Sequence, residues 1–247
     1  MRVKSNQIQT RLKLLASMAA VALLTACGSD SDDLPEPPAP PAPPPAPVPV
    51  DVSYDITLTN LTNAQPLSPA AVVLHNEGNL WQIGESASEA LEQMAEGGDN
   101  SALRALSVVM AESSGAGPIG PGDSETISVT IQDNTDANLS IATMLVNTND
   151  AFTGLNAYSL SDLAVGDSWT TVARAYDSGT EANSEAAGTM PGPADGGEGF
   201  NAERNDVDFV ALHPGIVTGD DGLSSSVLNV QHRIDNPVMR ITVTRTE

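Results

Sequence analysis

The pattern of apolar and polar residues predicts β-strands over most of the chain. Apolar residues alternate with polar ones across residues 52–59, and this period of two is typical of a strand with one buried face. Four more segments have strand-like patterns, namely 71–74, 127–131, 139–146 and 239–244. Of these, 139–146 is apolar on both faces and predicts a central strand. We therefore expect antiparallel strands whose apolar faces pack together.

One helical insertion interrupts these strands. Apolar residues recur at helical spacing within 87–95, where Ser86 or Ser88 can cap the start and Gly97–Gly98 can end the helix. A second stretch, 103–110, has the same period, and we expect its leucines and methionine to be core contacts. The predicted fold is mainly β, an antiparallel β-sandwich with a short helical insertion.

The first 26 residues have the features of a secretory signal peptide. Four basic residues precede an apolar run over 14–24, and no acidic residue occurs before Asp30. A positive segment, a short apolar run and small residues after it are typical of secretory signals. The apolar run is too short to span a bilayer. We expect 1–26 to be removed from the mature protein.

The end of this segment, Leu24-Thr25-Ala26-Cys27, resembles a bacterial lipobox. The resemblance implies that the thiol of Cys27 is acylated and that Cys27 becomes the mature N-terminus. An ordinary signal peptide with an incidental cysteine is the alternative, but the single cysteine of the chain stands where the lipid would be attached. We expect a lipid-anchored protein of the cell envelope. Because Gly28 provides no aspartate-type retention signal, the outer membrane is favoured over the inner membrane.

Residues 27–50 are predicted to be a tether between the acylated cysteine and a domain formed by 51–247. From Pro35 to Pro49 the chain is nearly all proline and alanine, with Glu36 as its one charge. Repeated proline favours an extended polyproline II conformation and prevents a packed core. At about 3.1 Å per residue, such a segment would hold the domain roughly 45 Å from the lipid.

Charge and cysteine content exclude several classes of function. The formal net charge of −22 argues against binding to nucleic acid, which depends on Lys and Arg. A single cysteine excludes an intrachain disulfide and a multi-cysteine zinc site. Removal of 1–26 leaves six basic residues against 32 acidic ones. Such a surface repels anionic lipid and attracts divalent cations.

The three histidines, His75, His213 and His232, belong to no recognisable catalytic motif. The chain has no H-x-x-x-H pair and no G-x-S-x-G sequence. Each histidine is therefore expected to be structural. The alternative is a metal-assisted hydrolase that uses His213 or His75 as general base beside acidic loops.

Two acidic loop segments, 147–150 and 176–181, offer ligands for a hard cation. Asp177 and Glu181 are four residues apart and separated by Gly179, which lets the backbone turn. Calcium takes six to eight oxygen ligands from carboxylates, carbonyls and water. The offsets are not those of an EF-hand loop, so the spacing alone leaves calcium and a simple solvated loop both open.

The chain resembles the spondin domain, the β-sandwich module of F-spondin and mindin, over about 52–245. Three segments carry this likeness to the family's A-S-E…A-E-x-G, T-M…P-D-W-x-x-G-L and D-A-G-T-D sequences. They are Ala87-Ser88-Glu89-Ala90-Leu91 through Ala95-Glu96-Gly97, Thr143-Met144 through Asp150 to Gly154-Leu155, and Asp177-Ser178-Gly179-Thr180-Glu181. The strands 56–60 and 241–244 match the first and last strands of the family.

The resemblance implies a C2-like antiparallel sandwich with one bound Ca²⁺, and a binding or adhesion module rather than an enzyme. The three metal-ligating acids of the family correspond to Asp150, Asp177 and Glu181. Glu181 departs from the usual Asp, but its longer side chain still supplies oxygens. Ala151-Phe152 stands where the family has a tryptophan, and the vertebrate cysteines are absent.

The sequence therefore predicts a lipid-anchored envelope protein that binds an unknown extracellular protein or glycan through a calcium-stabilised sandwich. Besides the hydrolase, a purely structural surface protein without an ion remains an alternative.

Overall fold

The first strand, β1 (Asp51–Asn60), shows how the alternation in the sequence becomes structure. Val52, Tyr54, Ile56 and Leu58 are buried, whereas the residues between them are partly exposed. The alternation arises because successive side chains of a strand point to opposite faces. The computed structural model describes residues 45–247, which include all of the predicted domain.

Within the described residues, ten strands and two short α-helices form the fold. The strands after β1 are β2 (Ala71–His75), β3 (Val109–Ser114), β4 (Ser124–Gln132), β5 (Asn138–Met144), β6 (Ala151–Ser159), β7 (Ser168–Ala173), β8 (Ala175–Asp177), β9 (Ala211–Leu212) and β10 (Met239–Arg245). The helices are α1 (Glu89–Gly97) and α2 (Ser101–Arg104), both between β2 and β3.

The strands form two antiparallel sheets. The four-stranded sheet has the order β4-β1-β10-β7, and the six-stranded sheet has the order β3-β2-β5-β6-β8-β9. In the first sheet, Ile56 of β1 lies opposite Ile127 of β4 on one side and Val243 of β10 on the other. The three predicted alternating strands therefore lie side by side, and the predicted antiparallel β-sandwich with a short helical insertion is confirmed.

The main hydrophobic core lies between the two sheets, and a second core lies under the helices. Val72 and Leu74 of β2 belong to the main core, whereas Ala71 and Val73 of the same strand pack with α1. Strand β5 is likewise buried on both faces. This explains why its sequence is continuously apolar, as expected for a central strand covered on both sides.

Helix α1 begins and ends as the sequence predicts. The side chain of Ser88 accepts a hydrogen bond from the backbone N–H of Leu91, at 3.2 Å. Gly98 adopts a left-handed conformation with φ +70°, and its N–H donates to the carbonyl of Met94. A serine N-cap and a left-handed glycine are favourable helix ends. Leu91, Met94 and Ala95 face the second core.

The prediction that helical spacing continues through 103–110 is wrong. Helix α2 ends at Arg104, the chain turns where the N–H of Val109 bonds the carbonyl of Leu106, and Met110 lies in β3. Leu103 is buried as expected, but Met110 is 54% exposed. The reason is that β3 pairs with β2. This pairing outweighs a helical spacing that rests on only three apolar residues.

Residues 47–247 form one compact unit. Residues 45–50, the described end of the predicted tether, are exposed and belong to no helix or strand. The predicted signal peptide, Cys27 and the rest of the tether lie outside the described residues. In the described part of the chain, no helix is both long enough and apolar enough to cross a membrane.

Candidate functional site

The pairing of β6 with β8 brings the two predicted acidic segments together. Ala151, the first residue of β6, lies opposite Asp177, the last residue of β8. Asp150 precedes Ala151 directly, so Asp150 and Asp177 lie at the same end of the six-stranded sheet. Glu181 follows in the turn after Asp177. The structure thus places all three predicted ligands at one location.

Asp150 organises the turn that follows β8. Its Oδ2 atom accepts hydrogen bonds from the hydroxyl of Ser178 at 2.8 Å, from the N–H of Thr180 at 2.9 Å and from the N–H of Glu181 at 3.2 Å. The backbone N–H of Ser178 also donates to the carbonyl of Asp150, at 3.4 Å. One carboxylate oxygen therefore bonds three residues of the predicted loop.

The other oxygen of Asp150, Oδ1, is buried and has no hydrogen-bond partner. A buried polar atom without a partner is costly, and it is rare in folded proteins. Burial, together with the neighbouring charge of Asp177, raises the pKa of Asp150 to about 7. A proton or a cation on this oxygen would remove the cost of its burial.

Asp177 is also buried, with 4% exposure, but both of its oxygens have partners. Oδ1 accepts from the N–H of Gly179 at 2.8 Å, and Oδ2 accepts from the side-chain amide of Asn183 at 2.6 Å. Each carboxylate oxygen has two lone pairs. Both oxygens therefore keep one lone pair that could bind a cation.

Glu181 extends the acidic region towards α1. Its Oε1 atom accepts a hydrogen bond from the side-chain amide of Asn149, at 2.8 Å. Burial raises the pKa of Glu181 to about 7, against the opposing hydrogen bond from Asn149. The charges of Glu96 and Asp150 act in the same direction as burial.

Glu96 is a member of this region that the sequence analysis did not select. It is 1% exposed, its Oε2 atom accepts from the N–H of Asn201 at 2.9 Å, and its Oε1 atom has no partner. Burial raises the pKa of Glu96. The sequence did contain a signal for the burial of Glu96. Glu92 and Glu96 are four residues apart, and each directly follows an apolar residue of the buried helix face.

His213 is the one described histidine that lies beside the acidic loops. Its Nδ1 accepts from the N–H of Gly215 at 3.0 Å, so the proton of the neutral ring is on Nε2, which donates to Asn183 Oδ1 at 3.1 Å. Asn183 in turn donates to Asp177. Burial lowers the pKa of His213, although the charge of Asp177 opposes this.

The other two histidines make structural contacts elsewhere. His75 is fully buried, with Nε2 2.8 Å from the hydroxyl of Ser140 and Nδ1 2.9 Å from the carbonyl of Glu77. His232 Nδ1 accepts from the N–H of Asn229 at 3.1 Å. Neither makes a hydrogen bond to Asp150, Asp177 or Glu181.

The oxygen atoms around Asp150 and Asp177 are of the chemical type that binds a hard cation. Carboxylates, an amide oxygen and turn carbonyls are the ligands that Ca²⁺ prefers, and Asp150 Oδ1 is a buried oxygen without a partner. Within residues 45–247, no set of three or more His, Cys, Asp or Glu side chains is already arranged to hold a metal ion. Side chains would have to rotate to form a complete coordination sphere.

Comparison with known proteins adds no family assignment. No protein-family model matches the chain, and no curated protein matches its sequence. The resemblance to the spondin domain therefore stays a prediction, which rests on the sequence motifs quoted above.

Proposed function

We propose that the protein is a lipid-anchored binding or adhesion module of the cell envelope, with a structural Ca²⁺ site at Asp150, Asp177 and Glu181. The observation that carries the proposal is the buried, unpartnered Oδ1 atom of Asp150 beside the carboxylate of Asp177. A divalent cation would satisfy this oxygen and neutralise the neighbouring charges.

The cation would act through the turn after β8. Asp150 Oδ2 already holds the N–H groups of Thr180 and Glu181, so a cation on Oδ1 would keep the carboxylate ionised while these bonds persist. It would also relieve repulsion between Asp150 and Asp177. The ion is therefore assigned a role in stabilising the loop, and the partner would be recognised by the protein surface.

The lipid anchor and the tether support a binding role, since they would present the domain away from the membrane. This part of the proposal rests on the sequence of residues 1–50. The partner is an extracellular protein or glycan, because the acidic surface disfavours nucleic acid and anionic lipid.

Thermal unfolding of the full-length protein in calcium and in chelator tests the ion. A ligand that binds the folded form alone stabilises it by RT ln(1 + [L]/Kd), so we expect a higher Tm in calcium. Asp150→Asn and Asp177→Ala should abolish the difference. Asp162→Asn, an exposed residue in the turn after β6, removes the same charge and should keep the full calcium response.

Two results would contradict the calcium site. One is an identical Tm in calcium and chelator for the wild type. The other is a calcium response that Asp150→Asn and Asp162→Asn reduce equally, which would indicate screening of the overall negative charge. Magnesium in place of calcium tests selectivity, since Mg²⁺ demands a smaller and more rigid octahedral site.

The metal-assisted hydrolase remains the alternative, with His213 as its base. His213 is linked to Asp177 through Asn183, which places it close to the proposed ion. Its two ring nitrogens are both engaged, by Gly215 and by Asn183, so neither faces a position for a reactive water. This geometry favours the binding module over the hydrolase.

A further inference from the structure

A cavity of about 310 Å³ lies on the outer side of Asp177, where the six-stranded sheet ends at β9. Asp177, Asn183 and Asp206 form its polar side. Three large apolar residues form its rim, and each is exposed: Val207 (54%), Phe209 (42%) and Leu212 (48%). We call this space the acidic cavity.

The wall of the acidic cavity is held in place by backbone contacts. The N–H of Asn205 donates to the carbonyl of Thr180 at 3.0 Å, and the N–H of Asp208 donates to the carbonyl of Gly179 at 2.7 Å. Asp206, which carries the second carboxylate, lies between these two anchors. The side chains of the apolar rim are thus exposed although the backbone that carries them is fixed. A fixed backbone lowers the conformational entropy that is lost when a partner binds.

The charge in the acidic cavity is not balanced by the protein itself. Within residues 45–247, the ion pairs involve other carboxylates, namely Glu112, Glu92, Asp208 and Asp221. Burial and the charge of Asp177 raise the pKa of Asp206. His213 is linked to Asp177 through Asn183, and burial lowers the pKa of His213, which disfavours its cationic form. A cation of external origin would therefore be favourable here.

We propose that the acidic cavity binds an arginine side chain of a partner protein. The guanidinium would lie between Asp177 and Asp206, and its aliphatic stem would pack on the rim residues Phe209 and Leu212. Arginine fits this arrangement because its planar group donates to two carboxylates at once and its stem covers apolar surface. The negative charge of the chain, −22, would favour the approach of a basic partner.

Insertion of a side chain fits this edge better than addition of a strand. Val210 directly precedes β9. Its N–H donates to the carbonyl of Glu85, and its carbonyl accepts from the N–H of Gly84. Pro214 follows shortly after and lacks an N–H. The free backbone edge is therefore too short for a β-ladder, whereas the acidic cavity beside it is open.

The test is a titration of the full-length protein, in mild detergent and chelator, with the fluorescein-labelled peptide acetyl-Val-Arg-Val-amide. The matched peptide carries citrulline, a neutral isostere, in place of arginine. Fluorescence anisotropy should show saturable binding of the arginine peptide. Citrulline should weaken it at least about tenfold, because a charge-assisted hydrogen bond is lost.

Three variants locate the binding site. Asp206→Asn should weaken the arginine peptide about tenfold, and Leu212→Ser should weaken it severalfold through the lost rim contact. Asp162→Asn, which removes the same charge outside the acidic cavity, should bind as the wild type does. Equal binding of the two peptides, no binding of either, or equal effects of Asp206→Asn and Asp162→Asn would overturn the proposal.

This inference rests on the proposed binding function but fails separately from the calcium site. Asp206 is not among the hydrogen-bond partners of Asp150, so Asp206→Asn should keep the calcium-dependent rise in Tm. Asp150→Asn should lose that rise and keep binding of the arginine peptide in chelator. A wild type that shows the calcium-dependent rise in Tm but binds both peptides equally contradicts the arginine site alone, and a wild type that prefers the arginine peptide but shows no calcium response contradicts the calcium site alone.

Discussion

The carboxylate of Asp150 accepts a hydrogen bond from the backbone N–H of Thr180, 30 residues away in the chain, at 2.9 Å. The same oxygen atom takes the other donors of the turn, and this leaves Oδ1 buried without a partner. Asp150 therefore has two unequal oxygens. One fixes the loop, and the other remains available for a proton or a cation.

Stability in chelator should fall as the pH rises through about 7. The pKa of Asp150 is about 7 in the folded protein against an ordinary value of 3.8, so the folded state holds this proton more tightly than the unfolded chain. The stabilising contribution is complete below about pH 4 and is lost as the pH passes the folded pKa. Urea unfolding at pH 6 and pH 8.5 measures it.

We expect the wild type to lose roughly 1–2 kcal/mol more of its free energy of unfolding between these pH values than Asp150→Asn does. The comparison with the variant is needed because His213, whose pKa is lowered by burial, acts in the opposite direction. Parallel pH profiles for the two proteins would show that Asp150 titrates normally. Saturating calcium should flatten the wild-type profile, since it keeps Asp150 ionised.

Arg204 should be a main anchor of the long segment between β8 and β9. Its guanidinium pairs with Glu92 of α1 at 2.6 Å and donates to the carbonyl of Ala87 at 2.8 Å. The side chain of Glu92 is only 5% exposed, so Arg204→Met leaves a buried charge unpaired. We expect a loss of roughly 2–3 kcal/mol in the free energy of unfolding, measured by urea denaturation.

Two further variants control for side-chain size and charge. Arg104 pairs with Glu112 in a more exposed position, and Arg104→Met should cost less than about 1 kcal/mol. Adding Glu92→Gln to Arg204→Met should recover part of the loss. If Arg104→Met and Arg204→Met destabilise the protein equally, the buried pair with Glu92 does not anchor the segment.

The alternating strands and the capped helix could be predicted because local pattern and tertiary environment agree. Residues 52–58 face one continuous core, and Ser88 caps α1 through contacts within one turn. Strands β6 to β9 escaped prediction because their exposure is mixed or because they are very short. These strands form because they pair with segments that are distant in the chain, and the local pattern of apolar residues carries no information about such pairing.

The candidate site was predictable in part for a similar reason. Asp150 and Asp177 end or begin apolar runs, and this position marks them as loop carboxylates at a sheet end. Glu96 was missed because the partner of its carboxylate is the backbone of Asn201, 105 residues further along the chain. The acidic cavity was missed because Asp206 and Leu212 belong to segments without a regular apolar pattern.

Lipid attachment at Cys27 can be tested by cell fractionation and mass spectrometry of the N-terminal peptide. Cys27→Ser removes the thiol that would carry the lipid, so the protein should move from the membrane fraction to the soluble fraction. Ser29→Ala, two residues further on, should stay in the membrane fraction. Retention of Cys27→Ser at the membrane would contradict the lipoprotein prediction, and a density gradient separates outer from inner membrane.

Gly179→Ala should destabilise the turn that joins both proposed sites. Gly179 has a φ of +72°, and an added Cβ would collide with the backbone of Phe209. Gly166 is a matched control, since it has a φ of +90° and open space around an added Cβ. Gly166→Ala should cost about 1 kcal/mol for backbone strain, and Gly179→Ala should cost roughly 2 kcal/mol more through overpacking. Equal losses in urea unfolding would mean that the segment carrying Phe209 moves away freely, and then the wall of the acidic cavity would not be preformed.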